Sequence, residues 1–235
     1  MRIHTRIETN KRTAITFDHQ PALVGVIHKW LGENKLHGET SLFSFSPIRG
    51  GRFDKDQGGL IFEGQAFLSI AAHDPSILLR LIKGIQESPD LSIDTPNGWQ
   101  SNPFDGFRAV DVVIEEDPED LTQQEQFSLY SPIFLKKQLP DGSFKHILYD
   151  HPEAGELMTT LLRRKMEIAG LSDPTLDVRF DLSYPTPKSC LISYKKVKNR
   201  ASLCPVLIRG SHESKVFARN VGLGHSTGIG FGTLK

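Results

Sequence analysis

Five of the eleven residues in the stretch Gly222–Gly232, GLGHSTGIGFG, are glycine. Glycine at that density lets backbone N–H groups come close to an anion, and phosphate oxygens suit such a nest of donors. Two familiar nucleotide cradles do not fit. A P-loop carries Lys-Ser/Thr after its last glycine and then a helix. A dinucleotide fingerprint lies between a strand and a helix, with an acidic residue about twenty positions further on. Here Thr233, Leu234 and Lys235 follow Gly232 and supply neither pattern. The two cysteines, Cys190 and Cys204, form no CxxC pair, and the nine histidines add no set with metal-ligand spacing. No metal and no cofactor is expected.

Charge points the same way as the glycines. The formal net charge is zero, but Met1–Thr122 holds 12 basic and 18 acidic residues, a net −6, while Gln123–Lys235 holds 16 and 10, a net +6. After Asp181 the only acid is Glu213, against nine basic residues. Lys195, Lys196, Lys198 and Arg200 form one group, and Arg209, Lys215 and Arg219 lead into the glycine stretch. An anionic partner held by the second half would account for the split, with ordinary surface variation as the plain alternative. The opening MRIHTRIETNKRT has no apolar signal-peptide region, and no apolar run approaches the ~20 residues that span a bilayer. A cytoplasmic protein with no membrane contact is expected.

The elements that position these residues follow from periodicity. RIHTRIET alternates like a strand, and Pro21 opens a helix with Leu23, Ile27, Trp30 and Leu31 on one face. SLFSFSPI and GGLIFEGQAFLSIAA read as strands. Asp74-Pro75 starts a second amphipathic helix, and FRAVDVVIEE is a further strand. The acidic segment Glu115–Gln126 reads as a linker. A looser version of the same order follows: a hairpin across Pro140-Asp141-Gly142, a helix in HPEAGELMTTLLRRKMEIAGL, three strands, a short helix capped by Ser211, and a last edge strand IGFGTLK. The fold class is α+β, two tandem ferredoxin-like (βαββαβ) domains over residues 1–122 and 123–235. The glycine stretch joins the last helix to the last strand. It is longer than the usual 2–6 residues of such a connection. A C-cap at Gly222 explains one or two of its glycines, but not five.

Tandem ferredoxin-like halves ending in GLGHSTGIGFG resemble the CRISPR-associated endoribonucleases that cut repeat RNA into guide RNAs. The family motif, G-x-G-x-x-x-x-x-G-F-G, is filled by Gly222, Gly224, Gly230, Phe231 and Gly232. The block HQPALVGVIHKWLGENKLHGETSLFSFSPI also resembles the family's first helix, histidine-bearing loop and following strand. By this resemblance His37 matches the catalytic histidine, and His28 lies where many members have a tyrosine or another histidine. A third catalytic position, often lysine, is Ser41 here. Arg49 and Arg52, the next cations along the chain, would replace it.

The resemblance implies cleavage without metal, in which a 2′-hydroxyl attacks its neighbouring phosphate. The products are a 2′,3′-cyclic phosphate and a 5′-hydroxyl. The reaction needs a base, an acid and positive charge. Histidine suits the first two roles because its ordinary pKa lies near neutrality. His37 is assigned as base and His28 as acid or phosphate stabiliser, with the reverse order open and a helix-end cap as the plain role for His28. The expected RNA contacts are Arg49, Arg52, Lys195, Lys196, Lys198, Arg200, Arg209, Lys215 and Arg219, with Gly222, Gly224, His225, Gly230 and Gly232 of the loop. The loop amides are expected to meet phosphate, so that a side chain at Gly224 or Gly230 weakens RNA binding rather than folding. The partner is a structured or stem-loop repeat RNA, with other CRISPR-associated proteins and a homodimer as further possible assemblies. Two other readings stay open at this stage: a catalytically silent RNA-binding subunit of a guide-RNA complex, and a small-molecule enzyme or regulatory module on the same fold.

Overall fold

The computed structural model describes residues 1–10, 12, 14–33, 40–93, 102–194 and 197–235. The first half begins with β1 (Arg2–Thr9), a 3₁₀ turn (Phe17–His19) and α1 (Gln20–Leu31). Pro21 occupies the first turn of α1, as its fixed φ and missing N–H favour. There follow β2 (Phe43–Phe45), β3 (Arg52–Asp54), β4 (Gly59–Ile61), β5 (Gln65–Ala72), α2 (Pro75–Glu87) and β6 (Phe107–Glu115). Asp74 caps α2 by accepting the Ser76 N–H at 2.8 Å. The segment expected as one strand over Gly58–Ala72 breaks at Gly64, because β4 turns back to pair with β3 before β5 begins.

The first sheet runs β2-β5-β1-β6, antiparallel throughout. Its strand-by-strand alternation sends Ile3, Ile7, Leu68, Ile70, Phe43 and Phe45 to the helix side, where they form one core with Leu23, Ile27, Trp30, Leu78 and Leu81. The other face carries Arg2, His4, Ser44 and Ser69, and the second half packs there.

The second half contains β7 (Gln126–Phe127), β8 (Lys136–Gln138), β9 (Phe144–His146), α3 (Ala154–Ile168), β10 (Asp177–Phe180), β11 (Lys188–Tyr194), β12 (Val197–Leu203), β13 (Val206–Arg209), α4 (His212–Val221) and a 3₁₀ turn (Thr227–Ile229). Its sheet order is β10-β13-β7. The expected last strand is reduced to a short pairing. Leu234 bridges Leu129, the Tyr130 N–H donates to the Thr233 carbonyl at 2.8 Å, and the Lys235 N–H donates to the Ser128 carbonyl at 2.9 Å. The tail therefore takes up a place on the continuation of β7, while IGFG itself turns rather than extends. β8 and β9 form the hairpin expected across Asp141 and Gly142, and β11 and β12 form a second, longer one. The chain thus folds as two tandem ferredoxin-like halves of an α+β protein.

The acidic connection is tied down. Leu121 is buried in the second core, and Asp117 accepts from the Met1 amino group at 2.7 Å and from Asn220 Nδ2 at 3.0 Å. No helix among the described residues is long and apolar enough to cross a membrane.

Candidate functional site

The glycine-rich segment lies between the two halves, with Gly222, Gly224, Gly230 and Gly232 buried. At Gly224, φ is +78°, and a Cβ there would meet the Phe134 carbonyl oxygen at 2.6 Å. At Gly230, φ is +92°, and a Cβ would lie 2.8 Å from Phe45 Cε2 and 3.0 Å from Gln20 Nε2. Both positions require glycine for conformation and for space, and the bulky neighbour in each case is protein. This corrects the expected ordering of effects: a side chain here strains the fold first. Gly228 packs directly on the Ser41 side chain, and Gln20 donates to the Ile229 carbonyl. Ser226, exposed between these turns, holds φ +62° without being glycine, the kind of local strain that concentrates at functional sites.

The first half meets this loop through Gln20 at the start of α1 and through Ser41. His28 is half-buried, one turn before Gly32 caps α1. The chain then runs through His37, which lies outside the described residues, and re-enters at Thr40 and Ser41 beside Gly228. Ser41 therefore contributes a small side chain against which the loop closes. Of the two proposed replacements for the cation, Arg49 is engaged within the protein and Arg52 is exposed. Arg49 stacks over the Tyr130 ring at 4.2 Å and donates to Ser69 Oγ at 2.7 Å. Arg52 pairs with Glu63 at 3.0 Å on the exposed β3–β4 hairpin.

The basic set divides. Lys198 and Arg200 are exposed on β12, while Lys195 and Lys196, which precede it in the chain, lie outside the described residues. Arg209 is exposed and 3.5 Å from Glu125. Lys215 and Arg219 are corrections. Lys215 is 2% exposed and donates to the Leu121 and Thr122 carbonyls at 3.1 and 2.9 Å, fastening the acidic connection to α4. Arg219 is bound by Glu115, and its own carbonyl accepts from Arg2 at 3.2 Å. Both are absorbed into packing between segments and are withdrawn from the RNA-facing set.

His225 is half-buried, and its N–H donates to the Phe134 carbonyl at 2.8 Å. Burial and nearby Lys136 push its pKa down to about 4, so it is neutral at pH 7 and offers no positive charge to phosphate. Burial, with Arg200 and Lys136, lowers His146 as well. The two imidazoles contact the same Phe134 ring, which joins the loop to the β8–β9 hairpin.

A family model described as "CRISPR associated protein Cas6, C-terminal" matches residues 115–235, more than half of the chain. The chain belongs to the Cas6 family. An endoribonuclease-like Cas6 protein of Pyrococcus furiosus is 27% identical over 197 residues, covering 82% of this chain and 77% of that relative. A Cas6nc protein of Pyrococcus horikoshii is 25% identical over the same length and coverage. Among solved structures, a CRISPR associated protein Cas6 aligns with a TM-score of 0.81 at 20% identity, over 100% of this chain and 98% of that one. A Cas6-related protein from Pyrococcus furiosus gives 0.81 at 22% identity, covering 100% and 97%. One described as a RAMP protein binding different RNA substrates gives 0.81 at 21%, covering 100% and 98%. These structural likenesses establish the Cas6 fold over the whole length.

One residue of this Cas6 chain escaped the sequence reading. Lys165, on α3, is buried, and its ammonium donates to the carbonyls of Val221 and Gly222 at 3.1 and 3.2 Å and to Thr227 Oγ1 at 2.9 Å. Its signal was present. Met158, Leu162, Lys165 and Met166 follow the i, i+4, i+7, i+8 spacing of one helix face, so a lysine stands on the buried stripe.

Proposed function

We propose that this Cas6 protein is a metal-independent endoribonuclease that cleaves CRISPR repeat RNA. The 2′-hydroxyl attacks the adjacent phosphate and leaves a 2′,3′-cyclic phosphate and a 5′-hydroxyl. His37 serves as general base, and His28 serves as general acid or phosphate stabiliser. The observation that carries this reading is the match of residues 115–235 to the Cas6 family, together with the packing of that region's glycine loop on Ser41, four residues beyond His37 in the chain. Exposed Lys198 and Arg200 provide sequence-independent phosphate contacts on the second half.

A specific observation favours a second reading, an RNA-binding subunit without cleavage. Serine stands at position 41, where the family often has lysine, and Arg49 is engaged by Tyr130 and Ser69. Incubating the protein with its repeat RNA in EDTA separates the two. Cleavage in chelator, abolished by a single 2′-deoxy substitution at the cut site, is the expected result. His37→Ala should then slow cleavage by roughly 10²–10⁴-fold while leaving RNA affinity nearly unchanged. Cleavage that requires added magnesium would overturn the mechanism, and tight binding without cleavage would establish the second reading.

A further inference from the structure

Lys165 is an expensive choice for its position. An ammonium taken out of water costs several kcal/mol unless it is paired, and an apolar side chain of similar volume would usually pack there more cheaply. The described partners of its Nζ are two carbonyls and a hydroxyl, with no carboxylate among them. Burial pushes its pKa down to about 7. The two carbonyls belong to Val221 and Gly222, at the C-terminal end of α4, where helix carbonyls lack intrahelical partners and the helix dipole favours a cation. A helix cap alone accounts for those two bonds. The third bond reaches across the glycine-rich segment to Thr227, whose carbonyl accepts the Gly230 N–H at 3.0 Å and whose neighbour Gly228 lies against Ser41. One ammonium thus joins α3, the end of α4 and the 3₁₀ turn that closes on β2.

We propose that Lys165 is a positioning residue that locks the glycine-rich loop against β2 and thereby fixes the wall of the candidate cleavage site beside Ser41. Its effect on catalysis rests on the endoribonuclease reading above, whereas its effect on the loop does not. Lys165→Met keeps the length and removes the three donors. Thr227→Val removes the single acceptor that distinguishes a clamp from a helix cap, with little change in volume.

The test measures backbone hydrogen exchange and RNA cleavage on the same proteins. In both variants the Ile229 and Gly230 amides should exchange at least roughly tenfold faster, while those in the middle of α3 keep wild-type protection. Single-turnover cleavage of repeat RNA should slow by a similar factor, with the RNA Kd within about twofold of wild type. Unchanged exchange at Ile229 and Gly230 in Thr227→Val would overturn the clamp, and this holds even if Lys165→Met fails to fold. A loosened loop with wild-type cleavage would overturn its positioning role. A wild-type protein that binds RNA but never cleaves it would remove the endoribonuclease reading, and the exchange measurement would still decide whether Lys165 holds the loop.

Discussion

Replacing Gly230 with alanine adds one methyl group at the junction of the two halves. The backbone there has φ +92°, a conformation that costs an L-residue about 1–2 kcal/mol. The new Cβ would also lie 2.8 Å from Phe45 Cε2 and 3.0 Å from Gln20 Nε2, both closer than normal contact. Relieving such overpacking in a core costs about 1–3 kcal/mol. The two effects together amount to about 2–5 kcal/mol, which for a chain of this size lowers Tm by roughly 4–20 °C. Thermal melts followed by circular dichroism give the stability, and fluorescence anisotropy with repeat RNA at 20 °C, on protein verified as folded, gives the affinity. The expected outcome is a large loss of stability with affinity retained in the folded fraction. An unchanged Tm accompanied by lost RNA binding would refute the reasoning, because it would mean that this glycine faces RNA rather than Phe45.

Two further outcomes concern charges outside the proposed catalytic pair. Converting exposed Lys198 and Arg200 to glutamine should weaken RNA binding and reduce the log–log salt dependence by about one unit for each phosphate no longer neutralised; an unchanged slope would show that β12 does not touch RNA. Acid stability should depend on Glu115. Burial alone would raise its pKa, but hydrogen bonds from His4 and Arg219 outweigh that and hold it down to about 2. A carboxylate depressed in the folded state contributes stability that is fully present above its ordinary value of 4.5 and is lost as pH falls toward about 2. Urea titrations between pH 5 and 2 should therefore fall less steeply for Glu115→Gln than for wild type, and identical slopes would remove Glu115 from the acid response.

Much of this architecture was legible because local signals agreed with the global fold. Pro21, Asp74 and Ser211 mark helix starts by their own chemistry, and the alternation in RIHTRIET matches the two faces of β1. The last strand was less legible. IGFGTLK has strand-like composition, but the positive φ values at Gly230 and Gly232 turn the chain, and only the residues after them pair with the continuation of β7. Charge counting misjudged Lys215 and Arg219 for a different reason. Sequence gives the number of cations but not whether carbonyls or a carboxylate wait for them, and both residues lie on the inward side of α4. The glycines were recognised as a demand for close approach. What approaches them came from both halves at once, which no local pattern in a single chain segment encodes.

The cover that the C-terminal segment gives to β2 has a consequence for how the halves can exist apart. β2 is an edge strand, and its outer side is occupied by the 3₁₀ turn, with the Thr233 hydroxyl donating to the Phe45 carbonyl at 2.5 Å and Ser44 Oγ donating to the Asn220 carbonyl at 3.2 Å. All of these covering groups belong to the second half. Cut away from them, the first half would expose the unpaired backbone edge of β2, the kind of surface that templates pairing between chains. The C-terminal segment from Asn220 to Thr233 therefore also guards against aggregation, and a fragment ending near Thr122 would be prone to precipitate even though its own sheet and helices are complete.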